Sequence, residues 1–364
     1  MQRSPMHEKG VQNIRRQVSG KSITDYAASW AARTVDYTLR SKVLAREAVP
    51  FHNHRYRLAN PDPHALTEIV KETARWFGAD LVGVTRLNPE WLSPELQQPD
   101  DVTVEPFQLS DLLDRPQDVS VVVMVHEMDY QLLRRTPLVE PETSLVYSKM
   151  AWCAASLGTF IAELGYRAIP AGNDVALSIP LALGAGLGEL GRNGLLITRE
   201  YGPRVRISKV FTDLPLIADV PVDLGVGRFC EQCALCAEHC PSRSIPSGPL
   251  GRRSRWSIQA SDCLDWWHRN GTHCSICIRV CPWNKPDGVL HHFVRLLAER
   301  GLFTRTLVRM DQLLGYGKRA RLSDTVGPSF SVELSPDREY APGETLGPHS
   351  QAVGAIVDAT DGAV

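Results

Sequence analysis

This 364-residue chain lacks an excess of charge of either sign: 40 lysines and arginines stand against 41 aspartates and glutamates, a formal net charge of −1. No bulk field draws it to nucleic acid or anionic lipid, and no basic stripe marks an RNA-binding face. It also lacks long apolar runs. None reaches the roughly 18–20 apolar residues that a membrane helix needs. The nearest, Ala176–Gly188, is broken by Ser178, Pro180 and glycines. The N-terminus carries Arg15–Arg16 with no apolar segment behind it, so it does not read as a secretory or twin-arginine signal. The expected location is the cytoplasm, where thiols stay reduced. Disorder is excluded as the main state by 43% hydrophobic residues, and the length suggests about two domains. Cysteine is scarce except in one place: eight of the nine lie between Cys230 and Cys281.

Residues 1–60 are polar and irregularly patterned and read as a wrapping extension or a partly disordered arm. An alternation of helix and strand begins near Pro61. Ala65–Phe77 reads as a helix and Ala79–Val84 as a short strand. Val119–Val125 is a β-branched run of the kind a buried strand shows. From Thr143 apolar residues recur at Val146, Met150, Cys153, Leu157, Phe160/Ile161 and Leu164, a helical spacing that Gly165 ends. A strand over Tyr166–Ile169, a turn at Pro170–Asn173 and an Ala/Leu-rich segment to Gly184 follow. After a glycine-dense stretch, Arg204–Phe211 alternates like a strand. Beyond the cysteines, Val289–Arg300 reads as a helix. The tail after Leu322 is rich in glycine, proline and acid.

The cysteines fall into two runs, Cys230-x2-Cys233-x2-Cys236-x3-Cys240-Pro241 and Cys263-x10-Cys274-x2-Cys277-x3-Cys281-Pro282. The first is the bacterial two-cluster ferredoxin run, in which the fourth cysteine serves the other cluster. Cluster one is therefore assigned Cys230, Cys233, Cys236 and Cys281, and cluster two Cys263, Cys274, Cys277 and Cys240. Paired zinc sites are the plainer reading of C-x2-C, but two runs of tight ligands each closed by proline argue for [4Fe–4S] clusters. The C-x3-C-x2-C spacing of radical enzymes is absent. Cys153, on the apolar face of its helix, reads as a buried hydrophobe.

From about Ser144 to Gly317 the chain resembles the corrinoid, iron–sulfur reductive dehalogenases. The segments are SLVYSKM (144–150), GYRAIPAGND (165–174), AGLGELGRNGLLITREYGPRVRISKVFTDLPL (185–216), FCEQCALCAEHCPSRSI (229–245), CSICIRVCPWNKP (274–286) and MDQLLGYG (310–317). The resemblance implies a mixed α+β or α/β fold: a nitroreductase-like cobamide-binding domain with an inserted ferredoxin-like domain holding two clusters. The expected layout is an extension at 1–60, a cobamide- and substrate-binding domain at 61–222 and the cluster domain at 223–288. A return segment at 289–322 would complete the cofactor domain, followed by a tail at 323–364. The implied reaction replaces carbon–halogen by carbon–hydrogen in a small organohalide. The electrons would come from a low-potential donor such as a ferredoxin, a flavodoxin or a reductase. No nucleic acid or membrane partner is expected, and a homo-oligomer is allowed.

Three residues carry the family's roles by position. Tyr147 matches its proton-donating tyrosine, Asn173 an asparagine beside the substrate, and Arg206 the arginine flanking the tyrosine. From pattern alone, Tyr147 is a core tyrosine, Asn173 a turn former and Arg206 an exposed strand residue. A phenol is a poor acid, and a neighbouring guanidinium stabilises its phenolate. The stretch Gly186-x-Gly188-x2-Gly191 formally matches a dinucleotide fingerprint, but no clear strand precedes it. These glycines, with Ser178 and Asn193, are expected instead to face a flat cofactor and its phosphate-bearing tail. Asp62-x-His64 is followed by Thr67 where a corrinoid histidine motif needs glycine, so cobalt is expected to have no histidine ligand from this protein. The rivals are an epoxyqueuosine reductase-like tRNA-modifying enzyme, which shares the Cys281–Asn284 tetrad, and a non-catalytic electron-transfer or corrinoid-handling protein.

Overall fold

Asp62 starts the main ordered body by capping a helix. Its carboxylate accepts from the His64 backbone N–H at 3.1 Å, and Pro63 takes the first helical position. The computed structural model describes residues 62–92 and 118–319, apart from 136–138, 174 and 252–254, with the short pieces 9–10, 12–13 and 31–36. Most of the N-terminal extension and the whole tail at 323–364 lie outside the described residues.

In chain order the elements are α1 (Pro63–Trp76), β1 (Leu81–Arg86), β2 (Ser120–Glu127), α2 (Tyr130–Leu133), α3 (Glu140–Glu163), β3 (Ala168–Ala171) and α4 (Ser178–Gly184). They continue with β4 (Glu189–Leu190), β5 (Leu196–Ile197), β6 (Val205–Thr212), α5 (Val226–Gln232), α6 (Leu235–Glu238), α7 (Ala260–Asn270), α8 (Ile276–Arg279), α9 (Val289–Glu299) and α10 (Thr304–Leu314).

Four strands form one sheet in the order β1-β2-β6-β3, with every pair antiparallel. The valine run of β2 is apolar throughout because both sheet faces are covered. Val121, Val123 and Val125 pack with Leu181 and Ala182 of α4, whereas Val122 and Met124 pack with α1 and α3 through Val70, Leu157 and Ile161. β3 reaches two residues further than the sequence suggested and includes Pro170, which an edge strand tolerates.

By length and mean hydropathy α3 is the one helix among the described residues that could span a membrane, although its sequence is no unbroken apolar run. Here it lies on the sheet, with Val146, Cys153, Leu157 and Ile161 wholly buried. Glu140 and Glu142 occupy its first turn, where carboxylates suit the helix dipole. Gly165, at φ +87°, follows its C-terminus.

The cysteine-bearing helices α5, α6, α7 and α8 follow the sheet. α9 and α10 pack on α5. Their Ala298, Leu307 and Val308 join Phe229, Trp283 and four cysteines in a single cluster. The apolar faces of α9 and α10 thus fit the cysteine module. Two described pieces of the extension touch the helices. Asn13 Nδ2 donates to Asn270 O at 3.1 Å on α7, and the Asp36 N–H donates to Ser148 Oγ at 3.2 Å on α3.

Candidate active site and cysteine module

Tyr147, Asn173 and Arg206 come from three separate elements and meet. The parity of β6 decides the direction of Arg206. Ile207 and Phe211 belong to the α4 face, so Arg206, Ser208 and Val210 turn to the α3 face. There the Arg206 guanidinium carbon lies 5.5 Å from the centre of the Tyr147 ring, and Nη2 lies 3.4 Å from Thr143 Oγ1, one turn earlier on α3. Asn173, just beyond β3, donates from Nδ2 to the Tyr147 hydroxyl at 2.8 Å. The phenol is half-buried and Asn173 is exposed, so a proton on the hydroxyl sits at the edge of solvent.

A fourth residue, not anticipated from sequence, completes the cluster. The guanidinium of Arg33 lies 5.3 Å from the Tyr147 ring centre. The piece carrying it is held to α3 by Ser148, whose hydroxyl donates to Ala32 O at 2.5 Å. Two guanidiniums thus stand against one phenol ring. Nothing in the irregular N-terminal sequence signalled Arg33.

Beside this cluster His126 is buried in β2. Burial, the dominant cause, brings its pKa down to about 4, so it is neutral near pH 7. Its Nε2 is 2.8 Å from Ser208 Oγ. Cys153 behaves as expected of a buried hydrophobe: it is wholly buried, and burial pushes its thiol up to about 12.

The eight clustered cysteines divide in space as well as in sequence. Cys230, Cys233, Cys236 and Cys281 line one cavity, together with Arg192, Phe229 and Trp283. Burial, then the charges of the neighbouring thiols, pushes Cys236 up to about 12; Cys281 is raised well above the usual range by burial and by Cys230, Cys233 and Cys236. Cys274 and Cys277 are raised by burial and by a different pair of thiols, Cys263 and Cys240. Cys277 also feels Cys236, so the two groups are neighbours. Backbone N–H groups of Leu235, Ala237 and Trp283 are directed at the sulfurs of Cys233, Cys236 and Cys281. Among the described residues no three His, Cys, Asp or Glu side chains converge on a point suited to one metal ion. Four thiols ringing a cavity, with amides aimed at the sulfurs, fit a group larger than an ion. That is the donor set of an iron–sulfur cluster.

The loop that delivers Cys281 is fixed from both sides. Trp283 meets Phe229 edge-to-face at 5.8 Å, and Gly202, at φ +57°, lies so close that a Cβ there would stand 2.4 Å from Trp283 O. Lys285 is buried against Asp311, and its carbonyl accepts from Arg204 at 2.9 Å and Arg295 at 3.2 Å.

The residues expected to face a flat cofactor have different immediate neighbours. Gly186 and Gly188 are required by internal packing, since Cβ atoms there would meet Val220 O at 2.4 Å and Ile197 O at 2.3 Å. Gly191 and Asn193 line the four-cysteine cavity instead, in the hairpin of β4 and β5. Asn193 Oδ1 accepts from the Leu195 N–H at 3.2 Å as a turn former. Ser178 Oγ accepts from Lys209 Nζ at 2.9 Å. The apparent fingerprint is a hairpin that packs on the module.

No protein-family model matches the chain. The tetrachloroethene reductive dehalogenase of Sulfurospirillum multivorans is 36% identical over 296 residues, covering 72% of this chain and 59% of that protein. A solved catabolic reductive dehalogenase in complex with 3-bromo-4-hydroxybenzoic acid superposes with a TM-score of 0.63 at 25% identity, covering 78% of this chain and 42% of the other. An epoxyqueuosine reductase of Lactococcus garvieae matches at 33% identity over only 125 residues, 32% of this chain. The chain thus spans 59% of the length of the curated relative. By its sequence likeness and its mixed helix-and-sheet fold, the chain belongs to the reductive dehalogenase family.

Proposed function

We propose that the chain carries the reaction centre of a reductive dehalogenase, converting R–X, two electrons and one proton into R–H and X⁻. The observation that carries this reading is the assembly of Tyr147, Asn173 and Arg206, from α3, the turn after β3 and β6, with Asn173 at the phenol oxygen and Arg206 over the phenol ring. The corrinoid and iron–sulfur cofactors that the family implies would supply a strongly reducing cobalt centre and the electrons it consumes. The chain's own residues supply the proton and its control. Tyr147 holds the proton at its hydroxyl. Asn173 fixes that oxygen, and the guanidiniums of Arg206 and Arg33 stabilise the charge left as the proton departs.

Cys230, Cys233, Cys236 and Cys281 would hold one [4Fe–4S] cluster, and Cys240, Cys263, Cys274 and Cys277 the other. The substrate is a small organohalide, and the donor a low-potential ferredoxin, flavodoxin or reductase. The finer architecture proposed is a nitroreductase-like sheet domain carrying a ferredoxin-like module.

The test is anaerobic reconstitution with cobamide, iron and sulfide, followed by halide release from a panel of organohalides with reduced viologen. The expected composition is about eight iron per chain for two cubane clusters, with one cobalt. Zinc in place of iron would overturn the cluster assignment. Bound iron and cobalt without halide release would favour a non-catalytic electron-transfer protein.

A further inference from the structure

Arg192 is among the most deeply buried side chains of the molecule, at 2% exposure. It sits in the β4–β5 hairpin and lines the cavity ringed by Cys230, Cys233, Cys236 and Cys281. Its guanidinium makes five hydrogen bonds to four carbonyls. Nε donates to Cys230 O at 3.2 Å and Cys233 O at 3.1 Å. Nη2 donates to Cys230 O at 2.7 Å, and Nη1 to Pro246 O at 2.9 Å and Gly248 O at 2.7 Å. Trp256 closes over it, with the guanidinium carbon 4.4 Å from the ring centre, and its own N–H donates to Gly248 O at 3.1 Å.

This cation has carbonyl partners but no described carboxylate within ion-pair distance. The acids nearest Cys230 are engaged elsewhere. Glu189 accepts from the Leu224 and Val226 N–H groups at 2.6 and 2.9 Å, and Glu231 accepts from the Leu250 N–H at 3.0 Å. A buried guanidinium without a counter-charge is costly. A cluster held by four thiolates carries net negative charge, and Arg192 faces the cavity where the four thiols stand. The same contacts join the first cysteine run, through Cys230 and Cys233, to the loop at Pro246 and Gly248.

We propose that Arg192 is a positioning residue for the first thiol set: it clamps the Cys230–Cys233 loop and holds a fixed positive charge against the iron–sulfur cluster there, raising the reduction potential of that cluster selectively. This rests on the two-cluster reading above. A positive charge at short range stabilises the reduced, more negative cluster, and hydrogen bonding and charge around the sulfurs are the levers that set such potentials. The second set meets the first through Cys277 and Cys236 and is affected less.

The experiment is a dithionite titration of the reconstituted full chain, followed by electron paramagnetic resonance, on wild type, Arg192→Gln, Arg192→Lys and the exposed control Arg228→Gln. Wild type is measured first. If it takes up no iron–sulfur clusters, the two-cluster reading fails before Arg192 is tested. In Arg192→Gln one midpoint should move to more negative potential while the other holds. Arg192→Lys should recover most of that shift yet lose iron to a chelator faster than wild type, because an ammonium cannot reproduce the planar fork. Arg228→Gln should leave both midpoints in place. Two unchanged midpoints in iron-loaded Arg192→Gln, or two that shift equally, would overturn the proposal. A folded Arg192→Gln protein with half of the wild-type iron supports the clamp. If Arg192→Gln does not fold, Arg192→Lys decides, and iron retention equal to wild type overturns the proposal.

Discussion

Replacing Tyr147 by phenylalanine separates chemistry from stability, because the structure keeps the two apart. The substitution removes one hydroxyl and leaves the ring. The faces presented to Arg206 at 5.5 Å and Arg33 at 5.3 Å are unchanged. The lost hydrogen bond is the 2.8 Å contact from Asn173, whose amide is exposed and turns to water instead. A typical net hydrogen bond is worth about 0.5–1.5 kcal/mol, and an exposed partner puts this one at the low end. For a chain of this size that moves Tm by only a few degrees, roughly 2–4 °C per kcal/mol. Loss of a general acid instead lowers the rate by about 10²–10⁴-fold, which is roughly 2.7–5.4 kcal/mol of barrier at 1.36 kcal/mol per decade. Tyr147→Phe should therefore melt within a few degrees of wild type, keep its iron and cobalt, and lose at least about a hundredfold in halide release. The measurement is single-turnover and steady-state halide release beside a thermal melt and metal analysis. A variant with full cofactor content and activity within about threefold of wild type, far below that range, would refute Tyr147 as the proton source.

Three further outcomes are expected. Gly202→Ala should destabilise by about 1–3 kcal/mol, from a strained backbone and a Cβ 2.4 Å from Trp283 O, and should release iron faster on chelator challenge. Asp311→Asn leaves the Lys285 ammonium buried without its counter-charge and should cost about 3–5 kcal/mol in urea unfolding, whereas Lys285→Met with Asp311→Leu should recover most of that loss. Cys153, its thiol pushed up to about 12 by burial, should resist iodoacetamide at pH 8 in the native protein and react once urea unfolds it; native-state labelling by peptide mapping would contradict its burial.

Local pattern made some features readable in the sequence. The Val119–Val125 run announced β2 because both its faces are covered, and helical spacing announced α3. Cysteine spacing announced the module because short loops around a bulky group constrain residue intervals. What escaped depends on partners distant in the chain. Arg192 sits in a glycine-rich segment where an arginine resembles a surface residue, and its carbonyl partners lie 38 to 56 positions away. The glycines around it mimicked a nucleotide fingerprint because a hairpin in tight contact with other backbone also demands residues without Cβ. Arg33 reaches Tyr147 from a segment without periodicity. The antiparallel order of the sheet was equally invisible, since β-branched runs do not encode the direction of their neighbours.

The exchange of cysteines between the two runs bears on how the protein is made. Cys281, the last of the eight to leave the ribosome, completes the ring begun by Cys230, Cys233 and Cys236. Cys240, from the earlier run, stands with Cys263, Cys274 and Cys277. Neither ring can close on a nascent chain that stops before the second run emerges, and on the proposed ligation iron loading would follow synthesis of the whole module. A frameshift or proteolytic cut between the runs would break both rings of thiols at once.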